Sequence, residues 1–170
     1  MATSTTYENY PVGIVVQSNL VSLGIYGLGF FILLRLELVF SLLYVLYILA
    51  LEYRLIRYHC PSCYYWGKSC GFGKGRLSSV FFKKGEPAKF CAKEMSWRGM
   101  IPDILVSLIP VAIGITLLIM QFDFIAFAAL LLLVLLTTTG NRYIRGTLTC
   151  RNCKQREIGC PADALFNKGK

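Results

Sequence analysis

Six of the seven cysteines spell one short pattern twice. Cys60-Pro-Ser-Cys63 is followed, after six residues, by Cys70, and Cys150-Arg-Asn-Cys153 is followed, after six residues, by Cys160. Two cysteines with two residues between them present a pair of thiolates to one ion, which is the spacing of a tetrahedral metal knuckle. One such pair is a weak signal. Two pairs in a chain of 170 residues are a stronger one. Cys91 and His59, the only histidine, complete a set of eight candidate ligands: His59, Cys60, Cys63, Cys70, Cys91, Cys150, Cys153 and Cys160.

Two ligand sets satisfy this count. In the first, Cys60, Cys63, Cys150 and Cys153 hold one ion and clasp the two patterns together, leaving Cys70 and Cys160 auxiliary. In the second, the eight groups fill two four-coordinate sites. Zinc is the expected cofactor, because it is the usual ion of closed thiolate sites. An iron–sulfur cluster is the alternative. Cys160-Pro161 resembles the end of a bacterial ferredoxin run, but that run has gaps of two, two and three residues, and the six-residue gap here departs from it. A third use is thiol chemistry at Cys60-Pro-Ser-Cys63, where Arg57 and His59 would favour a thiolate. The second pair is hard to explain on that reading unless one pair relays to the other.

The elements that must position these cysteines are apolar. Residues 12–51 and 101–139 form two hydrophobic blocks, 55% of the chain is hydrophobic, and mean hydropathy is +0.56. A soluble core would spread such residues over amphipathic elements. The expected fold is an all-α integral membrane protein, with four transmembrane helices as two hairpins and a small cysteine-rich cytosolic cap. The expected division is a polar N-terminal tail (1–11), a first transmembrane hairpin (12–54), a cytosolic Cys-rich basic loop with an amphipathic segment (55–100), a second hairpin (101–139) and a Cys-rich C-terminal segment (140–170). A spanning helix needs about 20 residues, with about 17 at the short end. The second limb of the first hairpin reaches that only by running through Glu52-Tyr53-Arg54. Arg35-Leu-Glu37 would turn at the far interface. One long helix from about Leu20 to Arg57 and a re-entrant limb are the alternatives. The second hairpin is clearer: Pro102 and Asp103 suit a helix start, Gln121-Phe-Asp123 a far turn, and Gly140-Asn141 a stop. Because each block is followed by the same cysteine spacing, the two halves read as parallel repeats.

Charge supports this topology. Net charge is +9, and of 18 Lys and Arg residues ten fall between Arg54 and Arg98 and seven between Arg142 and Lys170. With paired spans, those residues share one face, and the positive-inside bias makes that face cytoplasmic, with both termini. Anionic membrane lipids are then the expected partner, together with self-association or a larger membrane complex. The thiols would face a reducing compartment. Residues 1–11 carry no basic residue, so a cleavable signal peptide is not expected.

Other motifs are weaker. Gly71-Phe-Gly-Lys-Gly-Arg76 resembles a phosphate cradle but lacks the Walker A spacing. No histidine pair or Ser-His-Asp set is available for hydrolysis, and nothing predicts sequence-specific binding to nucleic acid. The expected function is a structural or docking subunit with a metal-stabilised cap. The alternative is a membrane oxidoreductase or electron-transfer subunit with an iron–sulfur centre or redox-active CxxC thiols. A lipid-modifying or phosphate-handling enzyme using residues 71–76 is a third class.

Overall fold

The computed structural model describes residues 6–86, Phe90 and residues 97–160. It is an all-α membrane protein, with four helices long and apolar enough to cross a bilayer among the described residues. In order, the helices named here are α1 (Val12–Leu34), α2 (Leu38–Tyr58), a short α3 (Lys74–Phe81), α4 (Trp97–Met120), α5 (Phe124–Leu135) and a single-turn α6 (Gln155–Gly159), with α1, α2, α4 and the helix that α5 begins being the four long ones. The chain divides into two compact units. One holds residues 20–52 and 98–142, and the other gathers the described parts of 1–19, 53–97 and 143–170.

The apolar unit buries some of its apolar side chains between helices and turns many others of the same kinds outward. Ile25, Ile32, Ala129, Leu130 and Leu133 form one cluster, and Leu33, Tyr44, Ile48 and Val106 a second. Leu23, Leu46, Leu49, Ile119 and Ile125 are exposed. Outward apolar side chains cost nothing when the surrounding solvent is lipid. Helix association then depends on close packing and interhelical hydrogen bonds. Gly114 fits that need, since a Cβ there would stand 3.0 Å from Leu130. The glycines of α1 divide: Gly24 faces Leu136, Gly29 lies against the Tyr44 ring and hydroxyl, and Gly27 has open space.

Tyr44 shows why a deep hydroxyl is affordable. Pro110 lies inside α4 and has no N–H to offer Val106 O, four residues back. The Tyr44 hydroxyl donates to that carbonyl at 2.8 Å. Tyr47 donates to Pro102 O at 2.8 Å, and Tyr26 to Glu52 Oε1 at 2.8 Å. Without water, each of these polar groups must find a protein partner.

The chain breaks at residues 35–37, so residues 20–57 are two helices and not one. Arg35 and Leu36 bond back three residues, to Ile32 O and Leu33 O, closing α1 in a tight turn. Arg35 then reaches Asp123, in the turn between α4 and α5, at 2.8 Å. Asp123 also accepts from Ile125 N at 3.0 Å, as the N-cap of α5.

The last helix runs further than its sequence indicates. Gly140-Asn141 does not stop it: helical backbone continues to Thr149 through wide π-type turns at Leu136–Gly140 and Ile144–Thr149. Thr137, Thr138 and Thr139 fold their hydroxyls back onto carbonyls of the preceding turn. Gly140 keeps a negative φ and packs on Val21, so its freedom to end a helix is not used.

Candidate functional site

Both cysteine patterns adopt one backbone conformation. Cys60–Ser62 and Cys150–Asn152 are 3-10 turns, closed by Cys63 N–H to Cys60 O at 3.2 Å and by Cys153 N–H to Cys150 O at 3.3 Å. The second cysteine of each is extended, with φ −81° and ψ 149° at Cys63 and φ −85° and ψ 121° at Cys153. The chain then turns again, by Trp66 N–H to Cys63 O at 3.1 Å and Arg156 N–H to Cys153 O at 3.0 Å. Backbone N–H groups of this second turn act on the thiols against burial: Tyr65 N–H lowers Cys63, and the Gln155 and Arg156 N–H groups lower Cys153.

The two turns are held together by a reciprocal pair of hydrogen bonds. Tyr65 and Gln155 each lie two residues beyond the second cysteine of their pattern, and both are 2% exposed. Gln155 Oε1 accepts Tyr64 N–H at 2.7 Å, and the Tyr65 hydroxyl oxygen accepts Lys154 N–H at 3.0 Å. Each side chain therefore takes the backbone donor at the preceding position of the opposite pattern. Gln155 also donates to Gly159 O at 3.2 Å, and Tyr65 to Tyr7 O at 2.6 Å.

Residues 6–10 are part of this construction, although their composition reads as a surface tail. Tyr7 N–H bonds Asn152 O, and Tyr10 N–H bonds Ser69 O. Tyr10 is 4% exposed, and its hydroxyl donates to Thr149 O at 2.5 Å. Glu8 receives the Tyr64 hydroxyl and the ammonium groups of Lys68 and Lys154, so a single carboxylate ties both patterns. These partners are distant in sequence, and no local pattern marks them.

Burial sets the state of the thiols. It pushes Cys63 up to about 12, with Cys153, Cys70 and Cys60 near enough to add in the same direction. Burial also raises Cys153, helped by Cys150 and Cys160. The backbone donors work the other way. A thiolate at either position therefore needs a cation beside it. A nucleophilic dithiol requires the reverse, a depressed pKa. The thiols are mutual electrostatic neighbours, yet among the described residues no three His, Cys, Asp or Glu side chains form a group tight enough to hold an ion. Cys60, Cys63, Cys70, Cys153 and Cys160 are half-buried and Cys150 is exposed, and none of the six is in a disulfide. His59 precedes the first turn, half-buried. Cys91, the amphipathic segment 88–98 (apart from Phe90 and the backbone of 97–98) and Asp163 lie outside the described residues.

The basic loop leads into α3. Gly73, with φ +73°, starts α3, while the Lys74 and Arg145 cations lie 5.9 and 5.6 Å from the Phe72 ring centre. Asn19 holds Phe72 O at 3.3 Å. Comparison with family models, with curated proteins and with solved structures finds no match to this chain.

Proposed function

We propose that this is a structural or docking subunit of the membrane, in which two helical hairpins deliver the two cysteine patterns to one cytosolic cap closed by a metal ion. The ion is zinc, and its ligands are Cys60, Cys63, Cys150 and Cys153. The reciprocal bonding of Tyr65 and Gln155 carries this reading. It supports two like turns facing one another, each with a half-buried sulfur whose thiolate the backbone N–H groups favour. Such donors favour a thiolate, and a cation supplies the remaining charge compensation. Ligation would draw the sulfurs into one group, in the usual coupling of metal binding to local folding. Cys70, Cys160, His59 and Cys91 are then auxiliary.

The cytosolic assignment rests on the basic residues of the loop and the C-terminal segment. Anionic lipids and a larger membrane assembly are the proposed partners. Electron transfer through an iron–sulfur centre is the competing reading, because backbone donors to sulfur also suit iron thiolates. Metal and acid-labile sulfide analysis with a visible spectrum, on anaerobically purified protein in detergent, separates them. Zinc without colour is expected. Iron with sulfide would transfer the same cysteines to the competing reading, and free thiols with neither metal would end both.

A further inference from the structure

α3 is built inside out. Its inward face is small and polar. A Cβ on Gly75 would collide with the Tyr65 and Lys68 carbonyls, and Ser78 is fully buried with its hydroxyl on Ile56 O at 3.2 Å. Its outward face is apolar: Leu77 is 46% exposed, Val80 75% and Phe81 68%. These three stand at i, i+3 and i+4, one above another on a single helical face. A helix meeting water would carry the opposite pattern. Four basic residues belong to the same segment, Lys74, Arg76, Lys83 and Lys84, and Arg76, Lys83 and Lys84 are exposed.

We infer that α3 is a membrane-surface wedge, with Leu77, Val80 and Phe81 entering the headgroup–acyl boundary of an anionic phospholipid leaflet while Arg76, Lys83 and Lys84 meet the phosphates. Ser78 ties α3 to the last turn of α2, a helix long and apolar enough to span a bilayer. The occupant follows from chemistry. A short apolar ridge rimmed by cations matches a surface that is apolar a few ångströms down and negative above. The inference rests on membrane residence and is independent of any metal.

The test uses the full chain reconstituted in vesicles of phosphatidylcholine, alone or with phosphatidylglycerol. p-Benzoyl-phenylalanine replaces Phe81 in one variant and Val80 in another, and the photoproducts are weighed by mass spectrometry. Both side chains are exposed, so neither replacement disturbs packing, and unchanged helicity and size-exclusion behaviour provide the control. Phospholipid adducts are expected at both positions, in higher yield with phosphatidylglycerol. Lys83→Glu with Lys84→Glu should lower that yield several-fold in the anionic vesicles and leave it unchanged in phosphatidylcholine. Adducts to protein alone would reassign the ridge to a protein partner and overturn the inference. So would the absence of lipid adducts at both positions, or a yield indifferent to vesicle charge.

Discussion

Tyr65 and Gln155 occupy the same position in two unlike sequences, and each accepts a backbone N–H from the other's segment, at 3.0 and 2.7 Å. An aromatic hydroxyl and an amide oxygen are chemically different, but as acceptors at the tip of a buried side chain they do the same work. The residues between the cysteines, Tyr64–Ser69 and Lys154–Gly159, share no pattern of type. What repeats is a backbone turn, and the clasp relates its two copies.

Removing either acceptor should loosen the opposite segment. Gln155→Ala leaves the Tyr64 N–H without its acceptor, and Tyr65→Phe does the same to Lys154 N–H. A buried donor left unpaired costs about 1–3 kcal/mol. Amide exchange followed by mass spectrometry should show faster exchange at Tyr64 in the first variant and at Lys154 in the second. Equal protection in parent and variants would mean that the clasp does not persist in solution.

The pairing of Tyr44 with Pro110 predicts a non-additive pair of substitutions. Tyr44→Phe alone strands the Val106 carbonyl and should destabilise the helices by about 1–3 kcal/mol. Pro110→Ala restores a backbone donor to that carbonyl. In that background Tyr44→Phe should cost distinctly less, with a coupling of about 0.5 kcal/mol or more. Additive losses in a detergent denaturation series would sink this account of the tyrosine.

Much of the membrane part was legible from the chain. The two apolar blocks had the length of paired spans, and the charges of Arg35 and Asp123 marked both turns because a charge at mid-bilayer is costly. Turn chemistry did not mark residues 35–37, which lack glycine and proline, so the break rested on charge alone. The end of the last helix was misjudged for the opposite reason. Gly140-Asn141 looks like a stop, but packing against Val21 and the threonine back-bonds keep the backbone helical to Thr149. The cysteine spacing gave the two turns. Their mutual contacts join residues about ninety positions apart, which no local pattern encodes.

Arg35 and Asp123 offer an asymmetric test. Their ion pair is 40% and 37% exposed, so its worth at an interface is at most about 1 kcal/mol. Asp123 additionally caps α5, and losing that bond costs about 1 kcal/mol more. Asp123→Ala should therefore destabilise more than Arg35→Ala, and Asp123→Asn, which still caps, should match the arginine variant. The order of midpoints in the same denaturation assay decides this.

The cysteines should fall into two classes. Cys63→Ser and Cys153→Ser each remove a proposed ligand, and each should abolish stoichiometric metal. Cys60→Ser and Cys150→Ser should do the same. Cys70→Ser and Cys160→Ser should retain it. Loss of about half the metal in every variant would indicate two centres of mixed ligation.

The most direct measurement is X-ray absorption at the zinc edge on the full chain in detergent, with metal content determined on the same sample. One closed centre shared by the two turns predicts one zinc per chain and a single shell of four sulfurs at about 2.3 Å. A shell containing nitrogen or oxygen, or two zinc ions per chain, would contradict a centre built from Cys60, Cys63, Cys150 and Cys153 alone.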